Sequence, residues 1–391
     1  MKSKQFVKLV ALIICCSMFF MIPSTALAKS AIDGRDLTPA KINGDKFKIG
    51  YIESAEFVNY PASFYYLLKG LEEIKWIKNI DHIPFQIGQK VTKPMWSYLA
   101  NKEVSSSLEF VEDFHYTLEY MNEEDKEAMR NRIEKNEVDL LIVLGTAAGK
   151  LVSNINTDTP RMIFSVTDAV KVGISENYER SNKPNIWAHT DPERFERQLK
   201  AFYDLFKFKN IGIVMENSNR AKAFTPLEEI KKLADEFGIK LTVKYVDMPI
   251  NSNDYDRYKE DLKNAYNEIS NEVDAFYITV AAIDYHWLEE TLDPFYKKNI
   301  PVFSQLGGKE VAYGALMSIN VSSFKEIGQF GARRIVQVLK GEKPEELTQK
   351  FVSTPQIDIN LEVARKIEYP VSFNLLLVAD QVYLKIERDD E

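Results

Sequence analysis

The sequence predicts an α/β fold built from two similar parallel-sheet lobes, and three observations predict it. Short runs rich in Ile, Val, Leu, Phe and Tyr end in small or polar residues, as buried parallel strands do. Helical periodicity fills the stretches between them, which is the pattern of βαβ units. The runs also recur, because three landmarks stand in the same order in each half of the chain.

The first landmark pair is KIGYIES (Lys48 to Ser54) and NIGIVMENS (Asn210 to Ser218). The second is EVDLLIVLGTAA (Glu137 to Ala148) and EVDAFYITVAA (Glu272 to Ala282), and the third is TPRMIFS (Thr159 to Ser165) and IPVFS (Ile300 to Ser304). Helical patterns lie at Ala62 to Trp76, Glu123 to Lys135, Pro192 to Phe206, Thr225 to Phe237, Tyr255 to Ile269 and Asp284 to Lys298, and Gly238 suits a helix stop. The spacing between copies is 162 residues at the first landmark and 135 at the second, so the first half holds an insert. Gly88 to Glu109, which follows no clear period, is its expected place. Trp96 and Tyr98 there either cover a cleft or pack on the flank of the lobe, and flank packing is the expectation. A polar, turn-prone link at Asp168 to Ile186 joins the halves. Beyond IPVFS the chain returns through a strand at Tyr313 to Ile319, an amphipathic helix at Ser322 to Lys340 stopped by Gly341, and a last strand at Gln356 to Asn360. The expected boundaries are a leader at 1–28, lobe one at 46–168 plus 306–341, and lobe two at 185–305 plus 350–391.

The leader reads as a secretory signal. Lys2, Lys4 and Lys8 precede an apolar run at Leu9 to Ile22, too short for a comfortable membrane span, and Ala26-Leu27-Ala28 has the form of a cleavage site. Both cysteines, Cys15 and Cys16, lie within it, so the mature chain is expected to have no disulfide, thiolate metal site or cysteine nucleophile. Ile14-Cys15 does not resemble a lipoprotein cleavage site, and a soluble periplasmic protein is expected. Losing three lysines and no acid takes the formal charge from −8 to −11. An acidic chain without a basic run is a poor nucleic-acid binder, and a monomer is expected.

VDLLIVLGTAAGK (Val138 to Lys150) looks like a phosphate-binding loop but fails as one: three residues separate its glycines, and Leu151 stands where a metal-binding hydroxyl is needed. A loop that follows a buried strand and opens a helix still suits a carboxylate or small polar group. Thr146 either donates to such a group or merely caps its helix. The case rests on convergence. Strand ends of lobe one carry Ser54 and Glu56, then Thr146 and Ala147, then Ser165, Thr167 and Asp168. Those of lobe two carry Glu216, Asn217 and Asn219, then Ala281 and Asp284, then Ser304 and Gln305. Facing lobes would bring these ends to one cleft that closes by hinge motion. Of the nearby aromatics, Tyr60 is expected at the ligand, and Phe57, Tyr285 and Trp287 are expected to pack.

Enzyme signatures are missing. His82, His115, His189 and His286 form no zinc motif, there is no G-x-S-x-G elbow, and no G-x-G-x-x-G follows the first strand. No catalytic residue, metal or cofactor is expected.

SVTDAVKVG, GALMSINVSSFKEIGQFGARRIVQVLKGEKPEEL and NLEVARKI carry a resemblance. The chain resembles the ABC-transporter substrate-binding proteins of the type that includes tryptophan- and tyrosine-binding members. The matching positions are Gly145, Thr146 and Ala148, Pro160 with Thr167 and Asp168, Gly331 to Pro344, and Asn360 with Ala364, and the likeness runs from about Phe47 to Tyr383. Ala169, where the family usually has proline, and the Gly88 to Glu109 insert depart from the pattern. The resemblance implies a type I periplasmic binding protein fold, with two Rossmann-like lobes and three crossings between them. It implies delivery of a small-molecule ligand to an ABC permease in the inner membrane. It places Thr146, Ser165, Thr167 and Asp168 at the ligand, with Asp168 pairing an amino acid's ammonium and Thr146 its carboxylate. A competing reading has Asp168 capping a turn into the link. A sensor module that presents its solute to a membrane kinase, and an exported α/β enzyme, are the alternatives.

Overall fold

A computed structural model describes residues 36–41, 44–218, 221, 225, 227–247, 254–279, 285–305, 307–320 and 323–388. The described residues fall in two units, 36–38 and those from 39 onward. In the first, Asp36 Oδ1 accepts hydrogen bonds from the Thr38 backbone N–H at 3.0 Å and from its hydroxyl at 2.7 Å. The expected leader lies outside the described residues.

In the second unit, lobe one is a parallel sheet of β1 (Phe47–Glu53), β2 (Leu108–Thr117), β3 (Leu140–Leu144), β4 (Arg161–Phe164) and β5 (Ile186–Ala188), in the order β2-β1-β3-β4-β5. Its helices are α1 (Asn59–Glu73), α2 (Lys93–Asn101), α3 (Glu123–Glu134) and α4 (Thr146–Ser153). Central β3 is buried along its whole length, which is why LLIVL carries no polar alternation. Asn122 caps α3 by accepting from the Asp125 N–H at 2.8 Å, and three acids in the first turn complement the helix dipole.

Lobe two is a seven-stranded sheet of β6 (Asn210–Glu216), β7 (Lys240–Val246), β8 (Ala275–Ile278), β9 (Val302–Ser304), β10 (Met317–Asn320), β11 (Gln356–Asn360) and β12 (Gln381–Tyr383). Its order is β12-β11-β10-β9-β8-β6-β7, and among these pairings only β10 with β11 is antiparallel. The run β7-β6-β8-β9-β10 repeats the order of lobe one, so the duplicated landmarks are duplicated topology. The other α-helices of the described residues are α5 (Arg194–Phe206), α6 (Leu227–Phe237), α7 (Tyr255–Ile269), α8 (Leu288–Tyr296), α9 (Gly308–Ala312), α10 (Phe324–Leu339), α11 (Leu361–Lys366) and α12 (Phe373–Val378). Each lobe has its own core. That of lobe two is rich in stacked rings, such as Phe276 with Phe295 at 4.2 Å and Phe202 with Phe303 at 4.5 Å.

Two elements join sheets other than the expected boundaries place them in. The link after Asp168 returns to lobe one as β5, pairing with β4, before the chain leaves. Strand β10, expected in lobe one, pairs with β9 in lobe two. Helix α10 then crosses back and packs on α1. Glycines allow that approach: a Cβ on Gly328 would lie 2.4 Å from the Tyr66 carbonyl, and one on Gly70 would lie 2.8 Å from the Gly328 oxygen.

The chain therefore passes between the lobes three times, after β5, between β10 and α10, and between α10 and β11. The first and third passages are laced together. The Thr190 N–H donates to the Gln349 oxygen and the Phe351 N–H to the Thr190 oxygen, both at 3.0 Å. The buried Gln349 amide donates to Ser175 Oγ at 2.7 Å and to the Asn177 oxygen at 2.6 Å.

The insert contains helix α2 and leads into edge strand β2, the counterpart of β7. Trp96 is wholly buried against Tyr51, Phe64 and Phe110, and its indole N–H donates to the Val111 oxygen at 3.0 Å. The Tyr98 hydroxyl donates to the Asn79 oxygen at 3.0 Å. Trp96 is flank packing and does not cover the cleft.

Candidate functional site

The carboxyl ends of the lobe-one strands open onto a cavity of about 490 Å³ between the lobes. Of the residues expected at a ligand, Ser54, Glu56, Tyr60, Thr146, Ala147, Ser165, Thr167 and Gln305 line it. Phe57, expected only to pack, also lines it and meets Tyr60 edge-on at 5.4 Å. Asn219, Ala281 and Asp284 lie outside the described residues.

Local chemistry holds these ends in place. Ser54 Oγ accepts the Ala148 N–H at 2.9 Å, so the hydroxyl clamps the first turn of α4. Gly145, just before α4, has φ +92°, and a Cβ there would sit 1.9 Å from the Tyr60 hydroxyl and 2.6 Å from Ser54 Oγ. The glycine of the phosphate-loop lookalike is thus required by backbone conformation and by the tyrosine over it. Gly145→Ala should destabilise by about 1–3 kcal/mol through strain alone and push Tyr60 out of place. A chemical denaturation midpoint equal to wild type would show that the loop relaxes freely. Ser165 has φ +55° and shares a 2.9 Å hydrogen bond with Ser63, which aims a strand end into the cavity. Thr146 Oγ1 makes only a long 3.5 Å contact with the Thr167 N–H, so this hydroxyl remains available.

Two of the expected residues lie elsewhere. Asp168 does not line this cavity. Its Oδ1 accepts the backbone N–H groups of Val170 at 3.0 Å and Lys171 at 2.9 Å, and its Oδ2 accepts the Tyr178 hydroxyl at 2.9 Å. It is a turn cap, satisfied locally. Asn217 lines neither this cavity nor the adjoining one, and its N–H continues the β6–β7 ladder to the Val246 oxygen at 2.9 Å.

The adjoining cavity, about 370 Å³, lies between the link and the start of α6, and meets the first along Val166, Thr167, His189, Arg194 and Phe195. Asp168 faces it, with Asp191, Thr225, Glu228 and Glu229. The Arg194 guanidinium donates to the Thr167 oxygen at 2.9 Å and lies 4.5 Å over the Phe195 ring. Burial lowers its pKa, against the pull of Asp191 and Asp168. His189 bonds the Phe351 oxygen at 3.2 Å, and burial brings it down to about 4, so it faces both cavities as a neutral ring. Behind Ser54, burial raises Glu53 to about 7, although it accepts from Tyr51, Thr92 and Thr117.

Sequence reasoning missed His189, Arg194, Phe195 and Gln198, all on the first passage and the start of α5. The sequence shows a helix beginning there, but only the topology places that beginning at the cleft. Among the described residues, no group of three or more His, Cys, Asp or Glu could hold a metal ion, and no helix is long and apolar enough to cross a membrane.

The family model described as ABC transporter substrate binding protein matches residues 109–383. The fold is similar to three solved structures. One is the ligand-free, open CD0873 of Clostridium difficile, a substrate binding protein with adhesive properties (16% identity, 87% of this chain and 100% of that chain, TM-score 0.64). Another is the ABC domain from Streptococcus pneumonia in complex with L-Trp (18% identity, 86% and 100%, TM-score 0.61). The third is a conserved domain protein of Vibrio cholerae (19% identity, 86% and 100%, TM-score 0.59). These likenesses establish the type I periplasmic binding protein fold. None of the curated proteins matches the chain significantly.

Proposed function

Since the chain belongs to the ABC transporter substrate-binding protein family, we propose that it is the extracytoplasmic receptor of an importer, exported by its leader to the periplasm, and that it carries an amino acid or related carboxylate to an ABC permease. The observation that carries this reading is the 490 Å³ cavity, lined from lobe one by aromatic rings and hydroxyls and from lobe two by Arg194, Phe195, Gln198 and Gln305. Its size suits a small organic ligand. Tyr60, Phe57, Phe164, Phe195 and Phe324 would hold an apolar body, and Ser54, Ser63, Thr146, Ser165 and Gln305 would orient it. The structural neighbour that holds L-Trp supports an amino acid as ligand. With the lobes joined by three passages, ligand binding is proposed to close them about these segments.

A thermal-shift screen of amino acids, nucleosides and small carboxylates tests the reading. A true ligand at about 100 times its Kd stabilises by about 2.7 kcal/mol, enough to raise Tm visibly. Small-angle scattering should then show compaction. No hit in any class would end the proposal, and a hit without compaction would end its hinge component.

A further inference from the structure

The adjoining cavity holds buried polar atoms that the fold leaves without partners. The Asp191 side chain is 2% exposed. Its Oδ2 pairs with Arg197 at 2.5 Å, but its Oδ1 has no hydrogen-bond partner. Thr225 is 6% exposed, and its hydroxyl has none. Three residues beyond Asp191, the Arg194 Nε is buried and unpartnered as well. All three residues line the same cavity. Buried polar groups are normally satisfied, and leaving one unpaired is costly, so three in one cavity call for an explanation.

The other charges there are already engaged. Asp168 is taken by two backbone amides and Tyr178, Lys171 pairs with Glu229 at 2.6 Å, and Glu228 pairs with Lys231 at 2.9 Å. The buried atoms left without partners are one carboxylate oxygen, one guanidinium N–H and one hydroxyl. A cation alone would leave Arg194 unmatched, and an anion alone would leave Asp191 unmatched. We propose that this cavity is the head-group subsite of the receptor and takes an α-amino-acid zwitterion, its ammonium on Asp191 Oδ1 and its carboxylate on Arg194 Nε and the Thr225 hydroxyl. The body of the ligand lies across the Thr167–Phe195 seam in the larger cavity. This rests on the binding reading above, and moves the head group from Thr146 and Asp168 to Asp191, Arg194 and Thr225.

Calorimetry on the full mature chain with matched sets tests it: leucine, phenylalanine and tryptophan, each with the amine that lacks its carboxylate and the acid that lacks its ammonium. At least one zwitterion should bind about 10- to 100-fold more tightly than either of its halves. Asp191→Asn should weaken that zwitterion by a similar factor and leave the deaminated acid unchanged. Arg194→Gln should weaken the acid and leave the amine unchanged. Because Asp191 also pairs with Arg197, Thr225→Val, which removes only a hydroxyl at similar shape, serves should Asp191→Asn fail to fold, and should weaken the zwitterion and the acid together. Halves that bind as tightly as the parent, or variants that leave the zwitterion unaffected, would overturn the head-group assignment while leaving the receptor reading intact. No binding by any set would overturn it too, and hits among nucleosides in the wider screen would then show that the receptor reading survives.

Discussion

Valine in place of Gly328 should destabilise the protein by about 3 kcal/mol or more, the upper end for overpacking. The added Cβ would lie 2.4 Å from both the carbonyl carbon and oxygen of Tyr66 and 2.8 Å from the Leu67 nitrogen. These are backbone atoms within α1, and no rotamer change moves them aside. The facing glycine is equally confined, since a Cβ on Gly70 would meet the Gly328 oxygen and the Ala332 Cβ. The helices must therefore separate. Phe324 and Ile327, within the turn before Gly328, line the larger cavity, so their displacement should weaken ligand binding as well. Urea denaturation with calorimetry reads both effects. A loss under about 1 kcal/mol with unchanged affinity would mean that α10 shifts freely on lobe one.

Gly328 also illustrates what the sequence made legible. The amphipathic helix at Ser322 to Lys340 was readable from its period. Isolated glycines inside such a pattern signal a close neighbour, but not which one. That the helix returns to lobe one is a property of the crossings. The same divide separates the strands. β1, β3, β4, β6, β8 and β9 announced themselves because burial on both faces makes their runs predominantly apolar. β2 and β7, at the sheet edges, mix exposed charged residues with buried ones, as in LEFVEDFHYT and KLTVKYV, and went unread. β5 offers only three residues and no counterpart among the repeated landmarks, whereas β9, of the same length, is marked by its likeness to β4. Of the residues directly beyond a readable strand, Ser54, Thr146 and Ser165 line the larger cavity. Arg194 and Phe195 were missed because they begin a helix whose position depends on where the link ends. For Asp168 the structure matches the turn-capping reading. That residue follows a strand end as expected, yet a short polar side chain two and three residues ahead of free backbone amides is consumed by its own turn.

Trp96→Ala should cost about 3–5 kcal/mol of stability, the range for emptying a large aromatic site. The indole ties α2 to three other elements of lobe one. Its ring centroid lies 5.6 Å from that of Tyr51 on β1, 6.1 Å from that of Phe64 on α1 and 5.5 Å from that of Phe110 on β2. Truncation also strips the Val111 oxygen of its 3.0 Å donor. Two further readouts separate flank packing from a role at the cleft. Trp96 does not line the larger cavity, so ligand affinity measured where the variant is folded should stay within about twofold of wild type, and a tenfold loss would refute the flank assignment. His115 lies 6.0 Å from the same indole, and burial, assisted by Lys93, holds it down at about 4. Opening that site to water removes the main cause of the shift, so the His115 resonance should titrate closer to the ordinary value of about 6.5 in the variant. An unmoved titration would mean that the indole does not keep water from this part of the sheet, and that the stability loss has another origin.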